Sequence, residues 1–347
     1  MKYISIANAC CVRVEGANQS YAIKVLEEEF THHLSATEKG QPIVGTIDYE
    51  AALVLPEAAV MLLDKKLFVF QDDIFVCEGC SVIRIRLTED TFHITANNAA
   101  DEYALPVLLQ ALLNYYLPLY DRVFLHAASF SYADKVYALH GFGGAGKSEV
   151  MVSALSKGAT YLSDDLVVYD TKGNLYPYLR KIGLHDYAFS DAQIETLQLN
   201  RRLYRFKCLV QKRSDRLSRF LYRKLRGRFN IAVDYKVLQI NDNYPPLQAY
   251  SVARNFWLDA SDHTGRSETS RSTIVRKIQF CMLNEFRQYV DFDGYFGLVY
   301  PFWETRRRQH ADTIEKTLQH LSIETFTLKS KDYDTLAELI IHSDENS

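Results

Sequence analysis

The run Gly141-Phe142-Gly143-Gly144-Ala145-Gly146-Lys147-Ser148 constrains this chain more than any other feature. It matches G-x-x-x-x-G-K-[ST] at every defined position. Glycines let successive backbone N–H groups turn inward around phosphate oxygens with no Cβ in the way. A helix beginning near Lys147 points its positive end at the same spot. Lys147 adds a charge able to reach β- and γ-phosphates, and Ser148 offers a hydroxyl to Mg2+. The setting fits the motif. An apolar strand, Val136–Leu139, precedes it, and an amphipathic helix, Lys147–Lys157, follows with Gly158 as its stop. The plain alternative is a glycine-rich turn that happens to precede a helix.

The rest of the composition narrows the class. With 347 residues, 48% of them hydrophobic and 24% charged, the chain can bury a full core, and its formal charge of -3 gives no global pull toward nucleic acid or anionic lipid. Six cysteines do not make a disulfide framework. Cys77-Glu78-Gly79-Cys80 carries half of a zinc-site spacing and Cys10-Cys11 two more thiols, but a second spaced pair is missing, so reduced cytoplasmic cysteines are expected. The first fifteen residues make a poor signal peptide. Tyr103–Tyr120, the most apolar long stretch, is interrupted by Pro106, Gln110, Asn114 and Pro118, which predicts a buried amphipathic helix and no membrane span.

Periodicity divides the chain in two. Residues 1–100 read as a β-rich N-terminal domain, with strands at Tyr3–Ala7, Ala51–Leu55, Lys66–Phe70 and Val82–Leu87. Residues 101–347 read as an α/β domain. It holds a helix over Asp101–Tyr120, strands at Val123–Phe130 and Lys135–His140, helices at Gln279–Val290, Asp312–Leu321 and Tyr333–His342, and a strand at Glu324–Leu328. A basic insertion lies near 200–230. Between Lys212 and Arg228 there are eight basic residues and one acid, Asp215, with Leu217, Phe220, Leu221 and Leu225 as an apolar stripe. It reads either as a mobile cationic element over the cleft or as a solvated basic face.

Many classes use a phosphate loop. Neither an Asn-Lys-x-Asp guanine-reading run nor a Leu-Ser-Gly-Gly-Gln run occurs. Instead Ser163-Asp164-Asp165 ends a short apolar strand soon after the loop's helix. Adjacent carboxylates divide labour near a magnesium nucleotide: one holds metal and the other takes a proton from an attacking hydroxyl. Their mutual repulsion raises one pKa, which makes a useful base. Solvated turn acids are the plain alternative.

Three stretches together, Phe124-Leu125-His126-Ala127-Ala128, Gly141 to Glu149, and Gly158-Ala159-Thr160-Tyr161-Leu162-Ser163-Asp164-Asp165, resemble the HPr kinase/phosphorylase family in order and spacing. The resemblance covers His126 to Asp170. It implies a phosphoenolpyruvate-carboxykinase-like P-loop core, with Gly141–Ser148 and Glu149 at ATP, Ser148 and Asp165 at Mg2+, Asp164 as base toward a serine hydroxyl, and His126 beside the phosphates. A hydrogen-bonded core histidine is the other reading of His126. The family's Arg-Gly-Leu-Gly-like second signature has only a loose counterpart in Arg180-Lys181-Ile182-Gly183-Leu184, which implies a stand-alone kinase without the reverse reaction. Such members act on free serine or on a serine of a ribosomally made peptide, including lasso-type precursors. Arg180 and Lys181 are the first candidates for a cation on the transferring phosphoryl group, and Arg306-Arg307-Arg308 competes with them. The expected function is ATP- and Mg2+-dependent transfer to a serine-bearing peptide or protein. The alternatives are a nucleotide-gated regulatory or binding protein without transfer, and a kinase of free serine or another small-molecule hydroxyl. No membrane or nucleic-acid partner is expected, and a homo-oligomer is compatible with the sequence.

Overall fold

The computed structural model describes residues 1–63, 66–100, 104–179, 182–184, 194–195, 200–202, 205, 231–233, 247–285, 295–329 and 332–342. The candidate cations Arg180 and Lys181 and the basic segment Lys212–Arg228 lie outside them. Two large mixed sheets make the protein α/β. The first takes its strands from residues 2–96: β1 (Lys2–Ile6), β2 (Cys10–Val14), β3 (Leu34–Ser35), β4 (Ile43–Tyr49), β5 (Val60–Leu63), β6 (Leu67–Phe70), β7 (Asp73–Glu78), β8 (Ser81–Leu87) and β9 (Phe92–Ala96). Their order is β3-β1-β2-β4-β9-β8-β7-β6-β5. One helix, α1 (Tyr21–Glu29), is threaded between β2 and β4, which lets those two strands pair in parallel.

The second sheet carries the glycine-rich run. Its order is β17-β14-β13-β10-β11-β18-β20-β19, with β12 also on β10. Here β10 is Arg122–Tyr132, β11 Lys135–Gly141, β12 Thr160–Ser163, β13 Leu166–Asp170 and β14 Asn174–Tyr176. After a separate pair, β15 (Ile182–Leu184) with β16 (Ile231–Val233), come β17 (Tyr250–Ser251), β18 (Arg254–Ser261), β19 (Gly265–Ser267) and β20 (Ile323–Lys329). β10 and β11 form a hairpin whose turn residues, Ala133 and Asp134, both have positive φ. That is the backbone a two-residue turn needs to follow the strands' right-handed twist. On the far side of β11 the pairing changes sense, since β18 and then β20 run parallel to it.

Helices cover both faces of this sheet. On one face α3 (Lys147–Ser156) and α6 (Tyr333–Ile341) pack over Phe130, Tyr137, Leu139, Phe256 and Leu258. On the other lie α2 (Ala104–Tyr116), α4 (Arg271–Glu285) and α5 (Trp303–His320). There a single apolar cluster runs from Ile4 and Ile94 through Leu109 and Leu112 to Phe124, Trp257 and Trp303. Each fully buried large side chain of this kind contributes about 1.5–3 kcal/mol. The first sheet therefore shares its core with the second, and the break near residue 100 is one of topology only.

Several expected elements differ in detail. Ala51–Leu55 is a turn: Leu53 N–H bonds back to Glu50 C=O, and the side chain drops into a small cluster with Phe75, Cys77 and Val82. The strand pattern there came from short apolar residues, two of which, Ala51 and Ala52, are exposed. α2 is buried on nearly every side, not amphipathic, because it is sandwiched between the sheets; its polar Gln110 and Asn114 are buried with the leucines. A 3-10 turn, Leu117–Tyr120, ends it where Pro118 cannot continue an α-helix. α4 starts at Arg271 and α5 at Trp303, both well before the expected positions, since their first turns are mostly polar or charged and weakly periodic. The expected end of α4 near Val290 lies outside the described residues. Among the described residues no helix is long and apolar enough to cross a membrane.

His33, buried in the 3-10 turn Thr31–His33, ties the first sheet to the second. Leu179 N–H donates to His33 Nε2 at 2.9 Å, so Nδ1 carries the proton and donates to Ser5 C=O at 3.0 Å. His33→Phe would preserve ring volume but strand two buried backbone groups. A loss of about 1–3 kcal/mol per stranded group is expected, read as a lower urea midpoint with unchanged slope.

Candidate active site

The carboxyl end of β11 lies beside the parallel β18, with Gly141 in register with Leu258. The glycine-rich loop leaves β11 there and enters α3 at Lys147. Gly146 forms the helix N-cap with φ +90, and no side chain caps the helix. A Cβ at Gly146 would come within 2.6 Å of Leu328 Cδ2, besides being strained by the positive φ. Around Gly143 and Gly144 an added Cβ would meet nothing within 4 Å. The loop is thus crowded at Gly146 and open at Gly143 and Gly144, and its end leads into a helix with no side-chain cap.

Lys147 is buried and points back across the loop. Its Nζ donates to Gly141 C=O at 3.0 Å and Phe142 C=O at 3.1 Å, and it meets His126 Nε2 at 2.7 Å. His126 sits on β10, next to the point where that strand leaves β11's register. Burial, then the neighbouring ammonium, pushes its pKa far below the ordinary value, so it is a neutral acceptor. Glu149, in the first turn of α3, is buried as well, and burial raises its pKa.

The acid pair arrives from the other edge of β10. β12 pairs with β10 at Ser129–Ser131 and β13 pairs with it at Arg122–His126. These are two halves of one strand, broken at Asp164–Asp165. At the break Leu166 N–H bonds to Asp164 C=O at 2.8 Å, and Asp165, between them, has φ 66. This is the positive-φ γ-turn, a rare and strained form. It is held by Ala127 N–H donating to Asp165 C=O and by Ser163 Oγ accepting from Tyr178 N–H at 2.6 Å. The kink leaves Asp165 exposed and turns Asp164 inward, where Oδ1 accepts from Ser148 Oγ at 2.8 Å. Burial first, then the adjacent Asp165 charge, raises the Asp164 pKa to about 7, against the lowering pull of Ser148 and Lys147.

Ser148, Lys147, His126 and Asp164 therefore form one constellation, with Phe142, Glu149 and Asp165 at its edges. The Ser148 contact falls on Asp164, not on Asp165. The competing cluster is accounted for elsewhere: Arg306 lies over the Tyr116 ring and reaches Gln309 and Asp90, while Arg307 and Arg308 pair with Glu304. Sequence reasoning passed over a polar layer beneath the loop. His140 Nε2 faces Asn255 Oδ1 at 3.3 Å, and Tyr169 OH donates to the same oxygen at 2.9 Å. Burial pushes His140 down to about 4, so it is neutral. The available signal was a polar residue at each edge of an apolar run, His140 after Val136–Leu139 and Asn255 before Phe256–Leu258.

Among the described residues no three His, Cys, Asp or Glu side chains gather as a metal group. Cys10, Cys11 and Cys77 are buried free thiols and Cys80 an exposed one. A hydroxyl beside paired carboxylates, with further ligands supplied by water and phosphate, suits Mg2+ better than zinc. Compared with known proteins, the chain matches no family model, and no curated protein matches it in sequence. Fold and site define a mixed α/β protein with a phosphate-loop motif facing a tandem aspartate.

Asp164 carries a linkage consequence. Its folded pKa lies above the ordinary carboxylate value, so folding favours its protonated form; stability is full at low pH and falls as pH rises from about 4 to about 7. Asp164→Asn should stabilise the protein, with a gain in melting temperature that grows across that window and levels off above it. Thermal unfolding at several pH values measures this.

Proposed function

We propose that this protein is an ATP- and Mg2+-dependent kinase that phosphorylates a serine hydroxyl of a peptide or protein. The observation that carries the reading is the Ser148–Asp164 hydrogen bond, which sets an acid pair at the mouth of the glycine-rich loop. A phosphate-loop turn with no chemistry would need no such neighbour. The strained break at Asp165 presents these acids, and strain of this kind clusters at functional sites.

A phosphoenolpyruvate-carboxykinase-like core is supported by the pairing of β11. In a doubly wound nucleotide-binding sheet the loop-bearing strand has parallel neighbours on both sides. Here it has the antiparallel β10 on one side and the parallel β18 on the other.

The residues divide the work as follows. The open part of the loop at Gly143 and Gly144 and the uncapped end of α3 hold the phosphates of ATP, and Lys147 trades its loop carbonyls for the β- and γ-oxygens. His126, neutral, keeps the ammonium on that side without competing for charge. Ser148 and the exposed Asp165 are the protein ligands for Mg2+, which when bound neutralises charge on the β- and γ-phosphates. Asp164, oriented by Ser148, takes the proton of the acceptor hydroxyl as its oxygen bonds to the γ-phosphorus and ADP departs. A base with a pKa near 7 is matched to this task at neutral pH.

The test is transfer of labelled γ-phosphate to serine-containing peptides, with free serine in parallel. The base must be ionised, so the rate should rise as pH passes through about 7. Asp164→Asn should remove that limb and lower kcat by about 10²–10⁴-fold while ATP still binds. Nucleotide binding with no transfer to any hydroxyl would mark a nucleotide-gated regulator instead.

A further inference from the structure

On β18, two residues before its end and one past the register partner of Gly141, stands Asp259. Its Oδ1 accepts from Trp257 Nε1 at 2.8 Å, and its Oδ2 accepts from Lys277 Nζ at 2.6 Å. Lys277 is on α4, and its ammonium lies 5.4 Å from the centre of the Trp257 ring. The same helix touches the entry of the loop. Cys281 Sγ, one turn after Lys277, reaches Gly141 C=O at 3.8 Å, and the Phe280 ring meets Phe142 at 6.1 Å. Phe142 in turn stands edge-on to Trp257 at 5.3 Å. Residues four apart on a helix lie about 5–6 Å from each other. Lys277 is thus one helical turn from the residue that touches the first glycine of the loop, beside the carboxyl-terminal half of the neighbouring parallel strand.

That position has a chemical meaning. In a loop of this type the backbone amides hold the α- and β-phosphates, while the lysine reaches toward β and γ. Lys147 Nζ rests on the carbonyls of Gly141 and Phe142, so the groups flanking the loop's entry share the lysine's side, the γ side. A triphosphate needs more than one cation, and Lys147 is enclosed by the loop itself. Lys277 and Asp259 keep about a quarter of their side-chain surface exposed, 26% and 27%. An ion pair with that much solvent access is partly screened and can exchange partners. Exchanging one carboxylate for a more highly charged phosphate is favourable, and the long lysine stem, lying against Trp257, lets the ammonium swing without repacking α4.

We propose that Lys277 is a second phosphate-contacting cation of the site, stored on Asp259 and drawn to the terminal phosphate of a bound triphosphate. The inference rests on the proposal that the loop holds ATP, and it adds that the Asp259–Lys277 pair makes the site distinguish a triphosphate from a diphosphate.

Calorimetric titration of the full chain with Mg-ATP and, separately, Mg-ADP tests both layers. Lys277→Met keeps the stem over Trp257 and removes the charge. It should weaken ATP by about tenfold or more, as for the loss of one charge-assisted hydrogen bond, and shift ADP less than twofold. Lys277→Arg should retain ATP affinity within a few-fold. Retained ADP binding shows that the variant is folded. Equal weakening of both nucleotides, or no change in either, overturns the role of Lys277 and leaves the loop's own role standing. If the wild type binds neither nucleotide, the phosphate-loop reading fails and takes this inference with it.

Discussion

One strand, β10, is shared by everything at the site. Along one edge it pairs with β11, which delivers the glycine-rich loop; along the other it pairs with the broken β12–β13 strand, which delivers Asp164 and Asp165. The separation of Lys147 and Ser148 from the acids is therefore set by backbone hydrogen-bond spacing across two ladders, a distance that side-chain motion alters little. The 2.8 Å contact between Ser148 Oγ and Asp164 closes the arrangement from the side-chain end.

Electrostatics under the loop follow from the same packing. His126 and His140 are both buried near Lys147 and both held neutral, so the single ammonium is not met by further positive charge. The His140–Asn255–Tyr169 layer links polar groups beneath the loop through the Asn255 side-chain oxygen, with His140 Nδ1 buried and unbonded. The N-terminal region contributes at a distance. His33 pins Leu179 as Ser163 pins Tyr178, so the chain leaving the acid pair is anchored to both sheets.

Much of the site was legible in the residues because its parts are local. Gly141–Ser148 needs its residue types in one order, and the neighbouring strand and helix are short, strongly periodic elements. Ser163-Asp164-Asp165 was visible for the same reason. Lys277, Asp259, Asn255 and His33 were not, because each owes its place to pairing across the sheet or between the sheets, and a lone Lys or Asp on a polar helix face or strand end carries no periodic mark. Ala51–Leu55 misled because short apolar residues satisfy a strand pattern whether or not a ladder is there to receive them. The Arg306–Arg308 cluster could not be placed from sequence because charge density carries no direction; the fold turns Arg306 onto the Tyr116 ring.

The sequence by itself determined that a phosphate-loop motif would join a strand to a helix, that a tandem acid would follow one helix later, and that a β-rich region would precede both. These depend on φ/ψ permissiveness, on helix and strand periods, and on short chain distances. Only the tertiary structure decided that Asp164, rather than Asp165, meets Ser148, that the loop-bearing strand has one antiparallel and one parallel neighbour, and that Lys277 stands on Asp259 beside the loop's entry. Those outcomes turn on strand register, where a shift of one residue reverses which side chain faces inward, and no local pattern encodes register between segments so far apart in the chain.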